Sequence, residues 1–140
     1  MATYTVTVEE VSRGDDVQRL SQGLTDHALP HTRVPGFRPL GVFMRDERGR
    51  LVGGVWGHVN WNWLSVNLVW LSEELRGAGH GRRLMAALEA AARERGCAYA
   101  HLDTFSYQAR PFYERLGYEV FAALEDYPPG HRRYFMKKTL

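Results

Sequence analysis

Cysteine is almost missing from this chain. Cys97 is the single one in 140 residues, which excludes an internal disulfide and fits a reducing, cytoplasmic setting. Long apolar runs are missing too, and Met-Ala-Thr-Tyr-Thr-Val at the start is not a basic segment followed by an apolar one. Neither a membrane span nor a signal peptide is therefore expected. Charge of one sign is scarce: 18 Lys and Arg stand against 16 Asp and Glu, and a net +2 is too small to argue for nucleic acid as the main partner. A metal-ligand set is also lacking, because His27 and His31 are four apart but Pro30 lies between them and no third ligand is near in sequence. Internal repeats, low-complexity tracts and linkers are not found, so residues 1–140 are read as a single domain, long enough for a real core.

What is present is alternating strand and helix patterning. Residues 3–11 alternate β-branched residues with others and predict a first strand. Residues 12–28 predict a helix, with Asp15 and Asp16 suited to its first turn and Val17, Leu20 and Leu24 at helical spacing. Pro30, Pro35, Gly36 and Pro39 predict a loop. Residues 40–45 and 51–59 flank the turn-like Asp46-Glu47-Arg48-Gly49 and predict a hairpin; a two-residue turn at Trp61-Asn62 leads into a strand over 63–72. That turn length sets Asn60 opposite Trp63, His58 opposite Ser65 and Trp56 opposite Asn67. Val55, Gly57, Val59, Leu64, Val66 and Leu68 then form a core face. Trp56, His58, Asn60, Trp63, Ser65 and Asn67 form a mixed aromatic and polar face of the kind that lines a cleft. Residues 82–95 predict a helix with Leu84, Leu88 and Ala91 inward and Gly96 as its C-terminal cap. A strand over 98–104, a helix over 108–116 with Pro111 in its first turn and Gly117 as its stop, and strands over 118–124 and 133–138 complete a mixed α/β layer fold with helices expected on both faces. Cys97 enters a strand and reads as a small core residue.

The densest functional signal is Arg76-Gly77-Ala78-Gly79-His80-Gly81, between a strand and a helix N-terminus. Amides of a helix's first turn have no internal partner, and the helix dipole stabilises an anion there by roughly 0.3–1 kcal/mol. The turn ends Gly81-Arg82-Arg83, not the Gly-Lys-Ser/Thr of a Walker loop, and its G-x-G-x-G spacing is not the dinucleotide fingerprint. Arg76, Gly79 and Gly81 instead resemble the Arg/Gln-x-x-Gly-x-Gly/Ala signature of the GNAT N-acetyltransferase superfamily. One helix and one strand later, Ser106, Ala109, Phe112, Tyr113, Glu114, Leu116, Gly117 and Tyr118 resemble that family's second motif, with Ser106 where the family often has Asn. The resemblance covers residues 40–140.

Several expectations follow from this resemblance. The fold is a central mixed sheet whose strands over 63–72 and 98–104 splay apart to admit the thioester arm of acetyl-CoA. Backbone groups near Leu71 and Ser72 hold that arm and polarise the acetyl carbonyl. The pyrophosphate sits on Arg76, Gly77, Ala78, Gly79, His80, Gly81 and Arg82, with Arg82 or Arg83 adding charge. Ser106, Ala109 and Phe112 border the arm, and Tyr113 faces the leaving sulfur. The acceptor is a primary amine of a small molecule, attacking directly through a tetrahedral intermediate. A protein or peptide amine, a non-catalytic acyl-CoA-binding module and a nucleotide-binding fragment are the competing readings. A homodimer is expected at the family level only. An amine of pKa near 10.4 is neutral in only ~10⁻³ of molecules near pH 7.4, a deficit of about 4 kcal/mol, so a base or water relay is needed. His58 is the first candidate, with Asp103 and Glu73 as alternatives. Glu125 and Asp126 could edge the acceptor cleft or simply belong to a solvated loop. Trp56, Trp61, Trp63 and Trp70 read as core, cleft wall or dimer interface.

Overall fold

The computed structural model describes residues 1–34 and 36–140. The chain divides into two compact units, Met1–Pro35 and Gly36–Leu140. In the first, residues 1–9 form neither helix nor strand, against the strand expected over 3–11, and Tyr4, Val6, Val8 and Val11 are exposed. Alternation reports a strand only where a ladder partner and a buried face exist, and this segment has neither. Helix α1 spans Asp16–Thr32, four residues later than expected at each end. Pro30 lies inside its last turn, where it forfeits one backbone hydrogen bond without breaking the helix. Arg33 closes α1 at φ 70°, its N–H donating to the Leu29 carbonyl at 2.7 Å. Of the loop expected from the next prolines, Pro35 lies outside the described residues, and Pro39 is inside a strand.

That strand is β1, Phe37–Arg45, and it lies at a sheet edge, where a missing N–H is tolerated. It is followed by β2 (Leu51–Asn60), β3 (Trp63–Leu71), a 3₁₀ turn (Glu73–Leu75), α2 (His80–Glu94), β4 (Tyr99–Phe105), α3 (Arg110–Arg115), β5 (Glu119–Glu125) and β6 (Arg132–Thr139). Among the described residues the strands form one mixed sheet, ordered β1-β2-β3-β4-β6-β5, in which β3 and β4 are parallel and the other neighbours antiparallel. The local signals are chemical. Asp46 Oδ1 accepts from the Arg48 and Arg50 amides and folds the first hairpin, with Gly49 at φ 78°. Gly96, at φ 88°, ends α2: its own N–H reaches the Arg93 carbonyl and that of Cys97 reaches Ala92, both at 3.0 Å. Gly117 and Tyr118 repeat that closure on α3, and Pro111 sits in the first turn of α3.

One face of the sheet is the core. Val55, Val59, Leu64, Val66, Ala100, Leu102 and Met136 meet Leu84, Met85, Leu88 and Ala92 of α2, Tyr113 of α3, and Tyr118 and Cys97. Both helices of this unit, α2 and α3, therefore cover the same face; the other helix, α1, belongs to the first unit. Leu68 is a second correction. The register runs Asn60↔Trp63, His58↔Ser65 and Gly57↔Val66 and then slips, so that Trp56 faces Leu68 and not Asn67. Asn67 is the extra residue of a β-bulge. The slip turns Leu68 onto the outer face, 66% exposed, and brings Val69 against the core in its place. Gly57 makes this possible, because a Cβ there would be driven into the Ser65 carbonyl oxygen and to 3.2 Å from Val66 Cα.

Candidate active site

Beyond the bulge β3 leaves β4. Their parallel pairing covers Trp63↔Tyr99 to Val66↔Leu102 and ends there, although β3 continues to Leu71 and β4 to Phe105. The wedge that opens holds a cavity of about 330 Å³. Val66, Asn67, Leu68 and Val69 form one wall and Leu102 to Phe105 the other, and Gln108, Ala109, Phe112 and Tyr113 close it. Ser72 N–H is bonded to the Val52 carbonyl at 2.9 Å, so alternation along β3 turns the N–H and C=O of Val69 and Leu71 toward the wedge. The Ser72 amide is thus used within the sheet. The Leu71 carbonyl accepts from Arg76 Nε at 3.0 Å, which ties the arginine of the glycine turn to the end of the wedge strand.

The glycine turn opens α2. Gly77 and Gly79 hold φ 80° and 85°, and Gly79 caps the helix with no side-chain hydrogen bond to its first amides. A Cβ on either glycine would meet nothing within 4 Å, so these positions require glycine for their left-handed backbone and leave the surface above them clear. Gly81 is different: its missing Cβ would press to 3.3 Å on the Phe112 ring, locking the turn to α3 at the cavity floor. Arg76, Gly77, Ala78, Gly79, Arg82 and Arg83 are exposed and His80 is half-buried. Among the described residues, His80 Nδ1 is the one buried side-chain nitrogen or oxygen with no hydrogen-bond partner, an orphan at the helix N-terminus. Clear amides, nearby guanidinium groups and an unsatisfied imidazole nitrogen fit a diphosphate. The apolar wedge beside them fits a slender acyl arm.

Tyr113 is 8% exposed, and its hydroxyl is pushed up to about 12, first by burial and then by the Asp103 carboxylate. Asp103, across the wedge, is held by Arg133 at 2.8 Å, whose guanidinium lies 5.1 to 5.6 Å from the ring centres of Phe105, Tyr127 and Phe135. His58 is outside the cavity lining but one hydrogen bond from it: its Nδ1 is 2.9 Å from Asn67 Oδ1, and Asn67 Nδ2 donates to Ser65 Oγ at 3.1 Å. Glu73 is exposed on the 3₁₀ turn. Ser106, expected to border the arm, is used elsewhere. Its Oγ accepts from the Arg132 amide at 3.1 Å and lies 3.2 Å from His131 Nδ1, fastening β4 to the following hairpin. Glu125 pairs with Arg132 and Asp126 accepts from the Gly130 amide, so both build that hairpin. Trp56, Trp61 and Trp70 are exposed and Trp63 stacks on Tyr99. Asn67 was expected on a cleft face, opposite Trp56, whereas Val69 and Gln108 were not foreseen as site residues; Gly57 inside a strand was the signal for the bulge that sets Asn67 and Val69.

Comparison with known proteins agrees in fold and chemistry. The profile of the Acetyltransferase (GNAT) family matches residues 14–118. Blasticidin-S acetyltransferase of Streptomyces morookaense is 46% identical over 117 residues, covering 81% of this chain and 86% of its own. A crystal structure of an Agrobacterium tumefaciens acetyltransferase superposes with a TM-score of 0.91 at 27% identity, covering 98% of this chain and 100% of its own. At the level of fold alone, a Bacillus anthracis structure in complex with acetyl coenzyme A superposes with a TM-score of 0.65 at 18% identity, over 76% of this chain and 64% of its own.

Proposed function

This chain belongs to the GNAT acetyltransferase family, and on that premise we propose that it moves the acetyl group of acetyl-CoA onto a primary amine of a small molecule. The observation that supports this best is the parting of β3 and β4 beyond Val66 and Leu102, directly beside a glycine turn with clear helix-terminal amides. In this reading the amides from Gly77 to Arg82, with Arg76, Arg82 and Arg83, hold the diphosphate. The Leu71 and Val69 amides, turned to the wedge, meet the arm and the acetyl carbonyl, and Ala109 and Phe112 line its path. The small-molecule acceptor rests on the relative named for blasticidin S.

The amine enters as an ammonium and must first lose a proton to expose its lone pair. The neutral amine then adds to the acetyl carbonyl to form the N–C bond of a tetrahedral intermediate, whose collapse breaks C–S. A second proton leaves the nitrogen, and one of the two ends on sulfur. His58 is assigned as the base. Asp103 stands in the wall but its carboxylate is held by Arg133, and Glu73 is exposed on the 3₁₀ turn. Tyr113 serves as hydrogen-bond donor to the departing sulfur. With its hydroxyl at about 12 against a thiol near 8.5, outright proton transfer would cost roughly 5 kcal/mol, whereas donation from a neutral phenol costs nothing of the kind. Release of free coenzyme A on mixing acetyl-CoA with a panel of small amines, blasticidin S among them, tests the proposal. Turnover with at least one amine is expected; cofactor binding with no turnover on any amine, peptide amines included, would reduce the chain to a binding module.

A further inference from the structure

The outer face of the sheet carries a polar row that begins at His58. His58 on β2, Ser65 on β3 and His101 on β4 are successive partners across three strands. Asn67, thrown out by the bulge, bridges that row to the wedge: it lines the cavity, accepts at Oδ1 from His58 Nδ1 at 2.9 Å, and donates from Nδ2 to Ser65 Oγ at 3.1 Å. Ser65 is 6% exposed, so its hydroxyl is a fixed partner and not a solvated one.

The amide has one oxygen and one NH₂, and each is assigned a neighbour. Asn67 Nδ2 donates to Ser65 Oγ. Oδ1 is then the atom facing His58, and an oxygen can only accept, so His58 Nδ1 must carry the hydrogen. In the neutral ring the lone pair is thereby left on Nε2. The Phe37 ring, 4.7 Å away and tilted by 31°, packs on the same imidazole. From this geometry we infer that Asn67 is a positioning residue for the acetyl transfer: held by Ser65, it fixes the tautomer of His58 that keeps Nε2 free to take the proton of the acceptor ammonium. The inference rests on His58 being the base.

Among the described residues, the surroundings of His58 supply no competing hydrogen-bond partner of fixed charge. On β1 its neighbours are Phe37 and Pro39, and Arg38 reaches the other way to the Arg95 carbonyl at 3.2 Å. On β3 they are Ser65 and Asn67. On β4 the titratable neighbour is His101, which burial and His58 together hold toward its neutral form, with Asp103 pulling the other way. A neutral amide is thus the group set to orient the ring.

Imidazole ¹⁵N spectra of the full chain, with kcat/KM against pH, test this on wild type, Asn67→Ala, Asn67→Asp and His58→Gln. Wild type should show His58 in the Nδ1–H form. Asn67→Ala should shift it toward the mixture found in free histidine and lower kcat about tenfold, with the acetyl-CoA KM little changed. Asn67→Asp should keep the tautomer but move the acidic limb of kcat/KM upward by about one pH unit. An Nε2–H tautomer in wild type, or His58 signals that ignore Asn67→Ala, would overturn the positioning role. A wild-type rate in His58→Gln would overturn the base assignment instead, and with it the catalytic purpose of Asn67, whatever the spectra show.

Discussion

At the residue scale the decisive groups are Tyr113 and the two left-handed glycines. Tyr113 reaches the wedge from a short helix, and its N–H is anchored on the Ala109 carbonyl at 3.2 Å. Because burial holds its phenol near 12, it stays neutral across the working range and keeps its proton to donate. Replacing Tyr113 with Phe removes that donor and little else. Turnover should fall by ~10²-fold while calorimetric affinity for acetyl-CoA stays within a factor of two or three; an unchanged kcat would take Tyr113 out of the chemistry. Its candidacy was readable in the sequence because the motif around it, Ser106 to Tyr118, is contiguous. The partners of Ser106 were not, since His131 and Arg132 lie about 25 residues on and only the β4–β6 pairing brings them near.

At the scale of elements, two devices hold the wedge open and the sheet together. The first is the bulge. A methyl at Gly57 collides with strand backbone, which cannot swing aside as a side chain can. Gly57→Ala should therefore cost about 2–3 kcal/mol in urea unfolding and weaken acetyl-CoA binding, because the register beyond Val66 must shift; a loss under 0.5 kcal/mol would show that the bulge relaxes freely. The second is a buried link from α2 to β6 and Tyr118. Glu89, 4% exposed, accepts from Lys138 Nζ at 2.6 Å and from Tyr118 Oη at 3.0 Å. Glu89→Ala strands an ammonium and a hydroxyl and should cost about 3 kcal/mol, whereas Glu89→Met with Lys138→Met should recover much of that loss. Additive losses in the double variant would deny the coupling. The hairpin registers near the turns were legible from turn chemistry. The slip at Asn67 was not, because alternation counts residues two by two and cannot register an inserted one; only Gly57, a residue with no side chain to pack, hinted at it. The opposite error occurred at residues 3–11, where alternation was clear and no partner strand accompanied it.

At the scale of the whole molecule, protonation links these sites to stability. Tyr113 and Tyr118 both hold their protons more tightly when folded than in a free chain, through burial first and nearby carboxylates next. Above about pH 10 the unfolded chain sheds tyrosine protons that the folded one keeps, so stability should decline from there upward. His101 acts at the other end. Its folded affinity for a proton is lowered, so its contribution is present above about pH 6.5 and lost as acid protonates the unfolded chain first. Thermal melts from pH 5 to 11 should show a plateau between these limits; a Tm still rising past pH 10 would contradict the burial of both phenols. Among the described residues no helix is long and apolar enough to cross a membrane, and no group of three or more His, Cys, Asp or Glu is placed to hold a metal.

In the proposed function, the turn from Gly77 to Arg82 and the wedge beyond Val66 together hold acetyl-CoA. Isothermal titration calorimetry of the folded protein with acetyl-CoA tests it most directly, with Gly79→Ala as a matched variant, since φ 85° admits a Cβ only under strain. The expected result is saturable binding at one site, weakened at least tenfold by Gly79→Ala while circular dichroism is unchanged. No heat of binding in the native protein, or equal affinity in the variant, would contradict it.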